Sequence, residues 1–292
     1  MEPSTKIILC ADDYALSPGV SRAIRNLILQ KRVSATSIMV TSHGWEKDAE
    51  ALKQLNADID IGLHVTLTDQ TCLSDMPGTA PKRQLPTVGS LLKNCFLGQI
   101  NQSEIRGEIE QQIATFESVM GRFPDYLDGH HHVHQFPQIR DVFVNCCESF
   151  KPTETFYIRA TTESLGTILR RNISISKTIL ISTFGQALKS SAAQAELSTN
   201  TGFSGIYNYP KSNPERLEFD MVIFREAMRH FLIGTKENMI VMCHPGFVDE
   251  QLTRLDSLTW QREAEYKLLA SEEYANLLAE HRIIIGRFSY HQ

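Results

Sequence analysis

Four short stretches of the chain carry side chains that can hold a metal ion or move a proton. "CADDY" contains Asp12 and Asp13, "GLHVT" contains His64 and "VMCHPG" contains His244. "DGHHHVHQFP" packs His130, His131, His132 and His134 into five positions, although the whole chain has only ten histidines. Adjacent carboxylates repel each other. A bound cation gives one of them a reason to stay ionised and lowers the pKa of bound water, which leaves the other free to act as general base. The competing reading of Asp12 and Asp13 is a helix N-cap. Divalent metals such as zinc accept imidazole nitrogen together with carboxylate oxygen. A lone strand histidine is usually structural, so His64 gains meaning only beside the other sites. In the histidine cluster a strand period puts Asp128, His130, His132 and His134 on one side and His131 on the other. A helix starting inside the run instead pairs His130 with His134, and a solvated polar turn is the third reading. His244 ends an apolar run before Pro-Gly, where it can protonate a leaving group or merely occupy a turn. Arg159 closes "TFYIRA", where it can bind substrate oxygens or form a surface ion pair.

These residues fall where strands are expected to end. "KIILCA", "ATSIMV", "DIGLHVTLT", "YLDGHHH", "TFYIRA", "FSGIYNY", "NMIVMCH" and "RIIIGRFS" are short apolar or β-branched runs. Runs of helical period lie between them. Val20, Ala23, Ile24, Leu27 and Ile28 form one stripe behind Pro18, and Ile105, Ile109, Ile113 and Phe116 form another. Asn101 with Glu104 has capping-box spacing, and Gly121 with Pro124 closes that helix. Further helices are expected over "GWEKDAEALKQL", from Pro137 to Phe150, over "NPERLEFDMVIFREAMRHFL" and over about 261–280. Residues 161–200 are helical in part, with serine-rich gaps. Residues 69–98 break the rhythm with prolines and glycines and read as a long loop insertion, a candidate lid. The alternation predicts an α/β fold: a single distorted (β/α) barrel, TIM-barrel-like, as one domain over 1–292. A doubly wound open sheet is the alternative. In a barrel the C-terminal strand ends meet at one mouth, which brings the four stretches and Arg159 together.

The 292 residues are 42% hydrophobic and 22% charged, enough for a sizeable core. A net charge of −5 argues against a nucleic-acid partner. The six cysteines, Cys10, Cys72, Cys95, Cys146, Cys147 and Cys243, form no C-x-x-C pair and are expected as free thiols. No run approaches the ~18 apolar residues of a membrane span, and "MEPSTKIILCADD" lacks the apolar core of a signal peptide. A cytoplasmic protein, with homodimerisation as the default assembly, is the expectation. Walker, G-x-S-x-G and G-x-G-x-x-G motifs are missing from the chain.

Taken together, the segments resemble the YdjC-like family, which includes ChbG-type chitooligosaccharide deacetylases and hopanoid-associated HpnK-like proteins. "ADDYALSPGVSRAI" is similar to the family's A-D-D-F-G-x-S-x-G opening, with Tyr14 and Ala15 in place of Phe-Gly. "IGLHVTLT", "LDGHHHVHQFPQI" and "VMCHPGFVD" follow in family order, as do "SEIRGEIEQQIATFESVMGRFPDYLDGH" and "REAEYKLLASEEY". The resemblance implies a distorted barrel and metal-dependent removal of N-acetyl groups from a saccharide or glycolipid of N-acetylglucosamine type. It implies that Asp13, His64 and His130 hold the metal, that Asp12 is the general base and that His244 is the general acid. His132 and His134 become neighbours that support the site or face substrate, with Arg159 a candidate substrate binder. It implies magnesium, whereas two imidazoles and a carboxylate suit zinc by softness. The rivals are another metallohydrolase, such as an amidohydrolase or phosphoesterase, and a non-catalytic metal-dependent sugar-binding protein.

Overall fold

The computed structural model describes residues 4–150 and 155–288. From the N-terminus the elements are β1 (Thr5–Tyr14), α1 (Pro18–Leu29), β2 (Ala35–Ile38), α2 (Trp45–Lys53), β3 (Asp60–Val65), α3 (Val88–Leu97), α4 (Gln102–Met120) and β4 (Tyr126–Gly129). They continue with α5 (Ile139–Ser149), β5 (Tyr157–Ile158), α6 (Leu165–Arg171), α7 (Ile175–Gln194), β6 (Ser198–Thr199) and β7 (Phe203–Ser204). The last are α8 (Leu217–Phe231), β8 (Met239–Cys243), α9 (Glu250–Leu255), α10 (Trp260–Ala270), α11 (Glu272–Glu280) and β9 (Ile283–Ile285).

The strands pair in parallel in the order β6-β5-β4-β3-β2-β1-β8-β7, with β9 beside the start of β1. Read as a circle, that order advances one strand at a time, as a barrel does. A doubly wound sheet would reverse at a switch point. The ends of the order, β6 and β7, are separated in the chain only by Asn200, Thr201 and Gly202. Such a link reaches no more than about 14 Å, so the sheet must curl until its ends nearly meet. Asn200 fastens this seam: its side chain accepts from Ala160 N at 2.7 Å and donates to Ala160 O and Gly202 O at 2.9 and 2.8 Å. The distorted (β/α) barrel expected from the sequence is the fold.

Strand parity sorts side chains into two layers. Ile7, Leu9 and Ala11 of β1 and Ile61, Leu63 and Val65 of β3 join the core beneath the helices. Ile8 and Cys10 turn into the barrel with Tyr126 and Tyr157. Gly62 leaves room there, since a Cβ would stand 2.5 Å from the Tyr126 ring. The rings of Tyr126 and Tyr157 stack at 4.9 Å and fill the barrel below the site.

The expected loop insertion is partly a helix. Val88–Leu97 forms α3, capped by Thr87, and the stretch before it is fastened to α4. The Glu108 carboxylate accepts from Leu73 N and Ser74 N, and Glu104 accepts from Gly78 N and Thr79 N. Asn101 caps α4 as expected, but Glu104 spends its carboxylate on that stretch and does not close the reciprocal box. The expected helix over 261–280 is two helices, split at Ser271, whose extended backbone (ψ 160°) ends α10 and whose side chain caps α11. Of "FSGIYNY", only Phe203 and Ser204 pair in the sheet. Residues 161–200 hold α6, α7 and β6. Ser289, the last residue of the expected closing strand, lies outside the described residues, as do Met1–Pro3. All six cysteines are free and buried. Among the described residues no helix is long and apolar enough to cross a membrane.

Candidate active site

Two adjacent strand residues normally face opposite sides of a sheet. Asp12 follows the inward parity of Ile8 and Cys10. Asp13 escapes its parity because its backbone is left-handed, at φ 65°. The pairing of β1 with β2 shifts register there, between Ala11 and Tyr14. Both carboxylates therefore reach one pocket of about 670 Å³, also lined by His64, His130, Tyr209 and His244. Neither carboxylate is an N-cap: Ser17 caps α1. Ala15 is left-handed too, at φ 73°. Tyr14 turns away, its hydroxyl accepting from Arg25 and donating to Asp48 O, both at 2.7 Å.

Each carboxylate has its own buried arginine. Arg159 Nη1 lies 2.6 Å from Asp12 Oδ1 and 3.0 Å from Asp128 Oδ2. Arg159 is fully buried, so the surface ion pair is not its role. Asp12 Oδ2 has no hydrogen-bond partner among the described residues. Asp13 Oδ2 accepts from Arg262 Nη2 at 2.6 Å, and the same nitrogen holds Asp256 Oδ2 at 2.7 Å. Burial pushes the Asp13 carboxyl up, but Arg262 and His130 outweigh it and hold it well below the usual carboxylate range.

Asp13 Oδ1 stands between two histidines, 2.9 Å from His130 Nδ1 and 3.3 Å from His64 Nε2. The other ring nitrogen of His64 lies 2.6 Å from Asp128 Oδ1 and 3.0 Å from Ser37 Oγ. Burial works against a charged imidazole, but Asp128 overrides it and brings His64 up to about 10. Asp128 stays ionised against its own burial because Arg159 and His64 flank it.

The strand ends at Gly129, and His130–Gln135 form a 3₁₀ segment in which His131 and His132 are left-handed, at φ 54° and 58°. The strand period therefore does not sort the cluster. His131, the residue that period sets apart, lines the pocket with His130 and His132. Its Nδ1 lies 2.9 Å from Thr68 Oγ1, and its ring centroid is 3.8 Å from that of His130. Burial, then the charge of His130, depress His131 to about 3. His134 is buried behind the pocket, with Nε2 2.8 Å from Arg159 O, so it holds Arg159 through the backbone and does not line the pocket.

His244 follows β8. Its Nδ1 lies 2.8 Å from the Tyr209 hydroxyl, and its backbone N–H donates to Glu265 Oε2 at 2.5 Å. Glu265 also accepts from the Tyr207 hydroxyl at 2.8 Å. Burial raises Glu265 to about 7 in spite of those donors.

Asp13 Oδ1, His64 Nε2 and His130 Nδ1 are donors that a divalent ion accepts, and one such atom from each residue lies within 4.8 Å of the others. Donors bound to one ion at about 2.1 Å stand roughly 3 to 3.4 Å apart, close to the two spacings around Asp13 Oδ1. The imidazole of His64, backed by a carboxylate on its far nitrogen, has the arrangement that orients metal-ligating histidines. This donor set fits a metal. A second cluster, Cys10, Asp12 and Asp128, does not. The guanidinium of Arg159 already occupies it, with Cys10 Sγ at 3.9 Å.

Asp128, Arg262, Tyr209 and Glu265 were not singled out as site residues from sequence. A signal for two of them exists: Arg262 and Glu265 share the buried face of α10 with Leu268 and Leu269. Charges on an otherwise apolar helical stripe mark a polar site.

The family model for YdjC-like protein matches residues 6–280. The chitooligosaccharide deacetylase of Serratia marcescens is 26% identical over 283 residues, covering 97% of each chain. That of Enterobacter sp. (strain 638) is 27% identical over 282 residues with the same coverage. A solved structure from Enterococcus faecalis V583, provisionally described as a cellobiose-phosphate cleavage protein, superposes with a TM-score of 0.67 at 20% identity, over 97% of both chains; at that identity the likeness is one of fold. The family match spans every strand but β9 and β1's first residue, and includes Asp12, Asp13, His64, His130 and His244. The chain belongs to the YdjC-like protein family.

Proposed function

We propose that this chain, as one domain, is a metal-dependent hydrolase that removes the N-acetyl group from an N-acetylglucosamine-type saccharide or glycolipid. The observation that carries the proposal is the pairing of a three-donor cluster with a separate, arginine-held carboxylate in one pocket. The names of the relatives support the substrate class. Asp13, His64 and His130 would hold a divalent ion: magnesium, as the family resemblance implies, with zinc the alternative. When bound, such an ion supplies Lewis acidity toward the amide carbonyl and the attacking water.

The remaining work falls to side chains. An amide has a poor leaving group, so its nitrogen needs a proton as the C–N bond breaks. Asp12 takes a proton from water, with Oδ2 as the receiving atom because Arg159 engages Oδ1. The water oxygen bonds to the acyl carbon, and the proton on Asp12 passes by way of the His244 imidazole to the departing nitrogen as the C–N bond breaks, so water is divided between acetate and amine. His131 and His132 line the same pocket and would form a wall for the sugar.

The test is acetate release by metal-loaded protein from N-acetylglucosamine oligomers and an N-acetylglucosaminyl lipid, with a phosphodiester in parallel. Acetate from a sugar substrate is the expected result. Phosphodiester cleavage without acetate, or silence on the whole panel, overturns the proposal. Elemental analysis of unstripped protein identifies the ion.

A further inference from the structure

His244 needs a defined proton if it is to act on the amide, and a neutral imidazole can carry that proton on either nitrogen. We propose that Tyr209 is a positioning residue that fixes His244 in the Nε2–H tautomer, so that the ring presents a hydrogen-bond donor to the pocket shared with Asp12 and Asp13. The inference rests on the deacetylase reading for its catalytic meaning, but its structural content stands on its own.

The Tyr209 hydroxyl lies 2.8 Å from His244 Nδ1 and has no other hydrogen-bond partner among the described residues. A phenol has one proton to donate. If Nδ1–H donated to the phenol oxygen, the phenolic proton would lack a protein acceptor, and Nε2 would face the pocket bare. If the phenol donates to Nδ1, its proton is satisfied and Nε2 carries the ring proton. Burial, reinforced by the charge of Glu265, pushes Tyr209 well above the ordinary phenol range, so the phenol keeps its proton. Burial also lowers His244 to about 4 against the pull of Asp13 and Asp12, which leaves a neutral ring with a single N–H.

The phenol is held rigidly enough to make this choice. Tyr209 sits in the segment after β7 that forms one pocket wall. On one side the Tyr207 hydroxyl donates to Glu265 Oε1, and on the other Gln261 Nε2 donates to Pro210 O at 2.5 Å. Both anchors lie on α10. Glu265 also receives the backbone N–H of His244, so one buried helix face sets the phenol and the imidazole relative to each other. The Tyr207 and Tyr209 rings, 4.3 Å apart, fix the tilt of the phenol.

The test reads the tautomer directly. Long-range ¹⁵N–¹H correlation spectra of the metal-free protein separate protonated from bare ring nitrogens, and a His244→Gln spectrum assigns the signal among the ten histidines. The expected result is Nε2–H for His244 in the wild type and a mixture of tautomers in Tyr209→Phe. In turnover, Tyr209→Phe should lower kcat about 10- to 100-fold, the usual cost of losing an orienting partner, with KM within about threefold. Nδ1–H in the wild type, or an unchanged tautomer in Tyr209→Phe, overturns the inference. The wild-type spectrum decides it even if the variant fails to fold. A protein with the Nε2–H tautomer that releases no acetate from any substrate overturns the proposed function and leaves this inference standing.

Discussion

Arg262 Nη2 lies 2.6 Å from Asp13 Oδ2. The contact leaves Oδ1 as the oxygen facing His64 and His130, and it brings a helix from the C-terminal end of the chain to the first strand, 249 residues away. Asp12 has a different arginine on a different element. Two adjacent carboxylates thus share one buried pocket, each paired with an arginine from its own side.

Replacing Arg262 with Met leaves Asp13 buried without its cation. Loss of one partner from a buried ion pair costs about 3–5 kcal/mol, so the metal-free variant should melt well below the wild type. A divalent ion can then supply the missing charge. Thermal scans should show metal raising Tm more in Arg262→Met than in the wild type. An equal or smaller rise would show that Asp13 does not face the ion.

Arg159→Met strands Asp12 and Asp128 together. The loss should again be about 3–5 kcal/mol, but metal should not recover the excess loss, because neither of those carboxylates is in the proposed donor set. Recovery equal to that of the Arg262 variant would mean that the cluster of Cys10, Asp12 and Asp128 takes the ion instead.

His64 sits at about 10 in the metal-free protein, held protonated by Asp128. An ion binding at Nε2 must displace that proton, since a ligand imidazole is neutral. Raising the pH below that value therefore helps the ion, and apparent affinity should rise about tenfold per pH unit from 7 to 9. Calorimetry in buffers of different ionisation enthalpy should count about one proton released per ion at neutral pH. Release of none would place His64 outside the donor set.

Ala15 occupies a left-handed backbone, where an L side chain costs about 1–2 kcal/mol. Glycine removes that cost but adds about 0.5–1 kcal/mol of unfolded-state entropy. Ala15→Gly should stabilise the fold by roughly 0.5–1 kcal/mol, raising Tm by about 1–3 °C. A fall in Tm would mean that the Ala15 methyl contributes more by packing than its backbone loses.

Much of the site was legible because it lies on strands whose period is two. His64 shares strand parity with Gly62, which faces the Tyr126 ring inside the barrel, and the apolar run before Asp12 puts that residue at a strand end. The legible part stops where backbone handedness intervenes. A positive φ at Asp13, His131 and His132 re-aims side chains that strand parity would send elsewhere, and no residue type there announces it as glycine would. Pairings across the fold were equally hidden. Asp128 stands in the same short run as His130, yet its partner His64 is 64 residues upstream, and Tyr209 has no local motif. The prolines and glycines of 69–98 suggested loop, while the helix Val88–Leu97 follows the last proline and carries an apolar face with Leu91 and Cys95 buried.

In the proposed mechanism the ion and the general base depend on different carboxylates, Asp13 and Asp12. Asp12→Asn tests it most directly, with metal content and acetate release measured on the same samples of wild type and variant. The expected result is full metal occupancy in the variant and acetate release from an N-acetylglucosamine oligomer reduced about 10²- to 10⁴-fold, the range of a lost general base. Unchanged acetate release, or loss of metal together with activity, would contradict it.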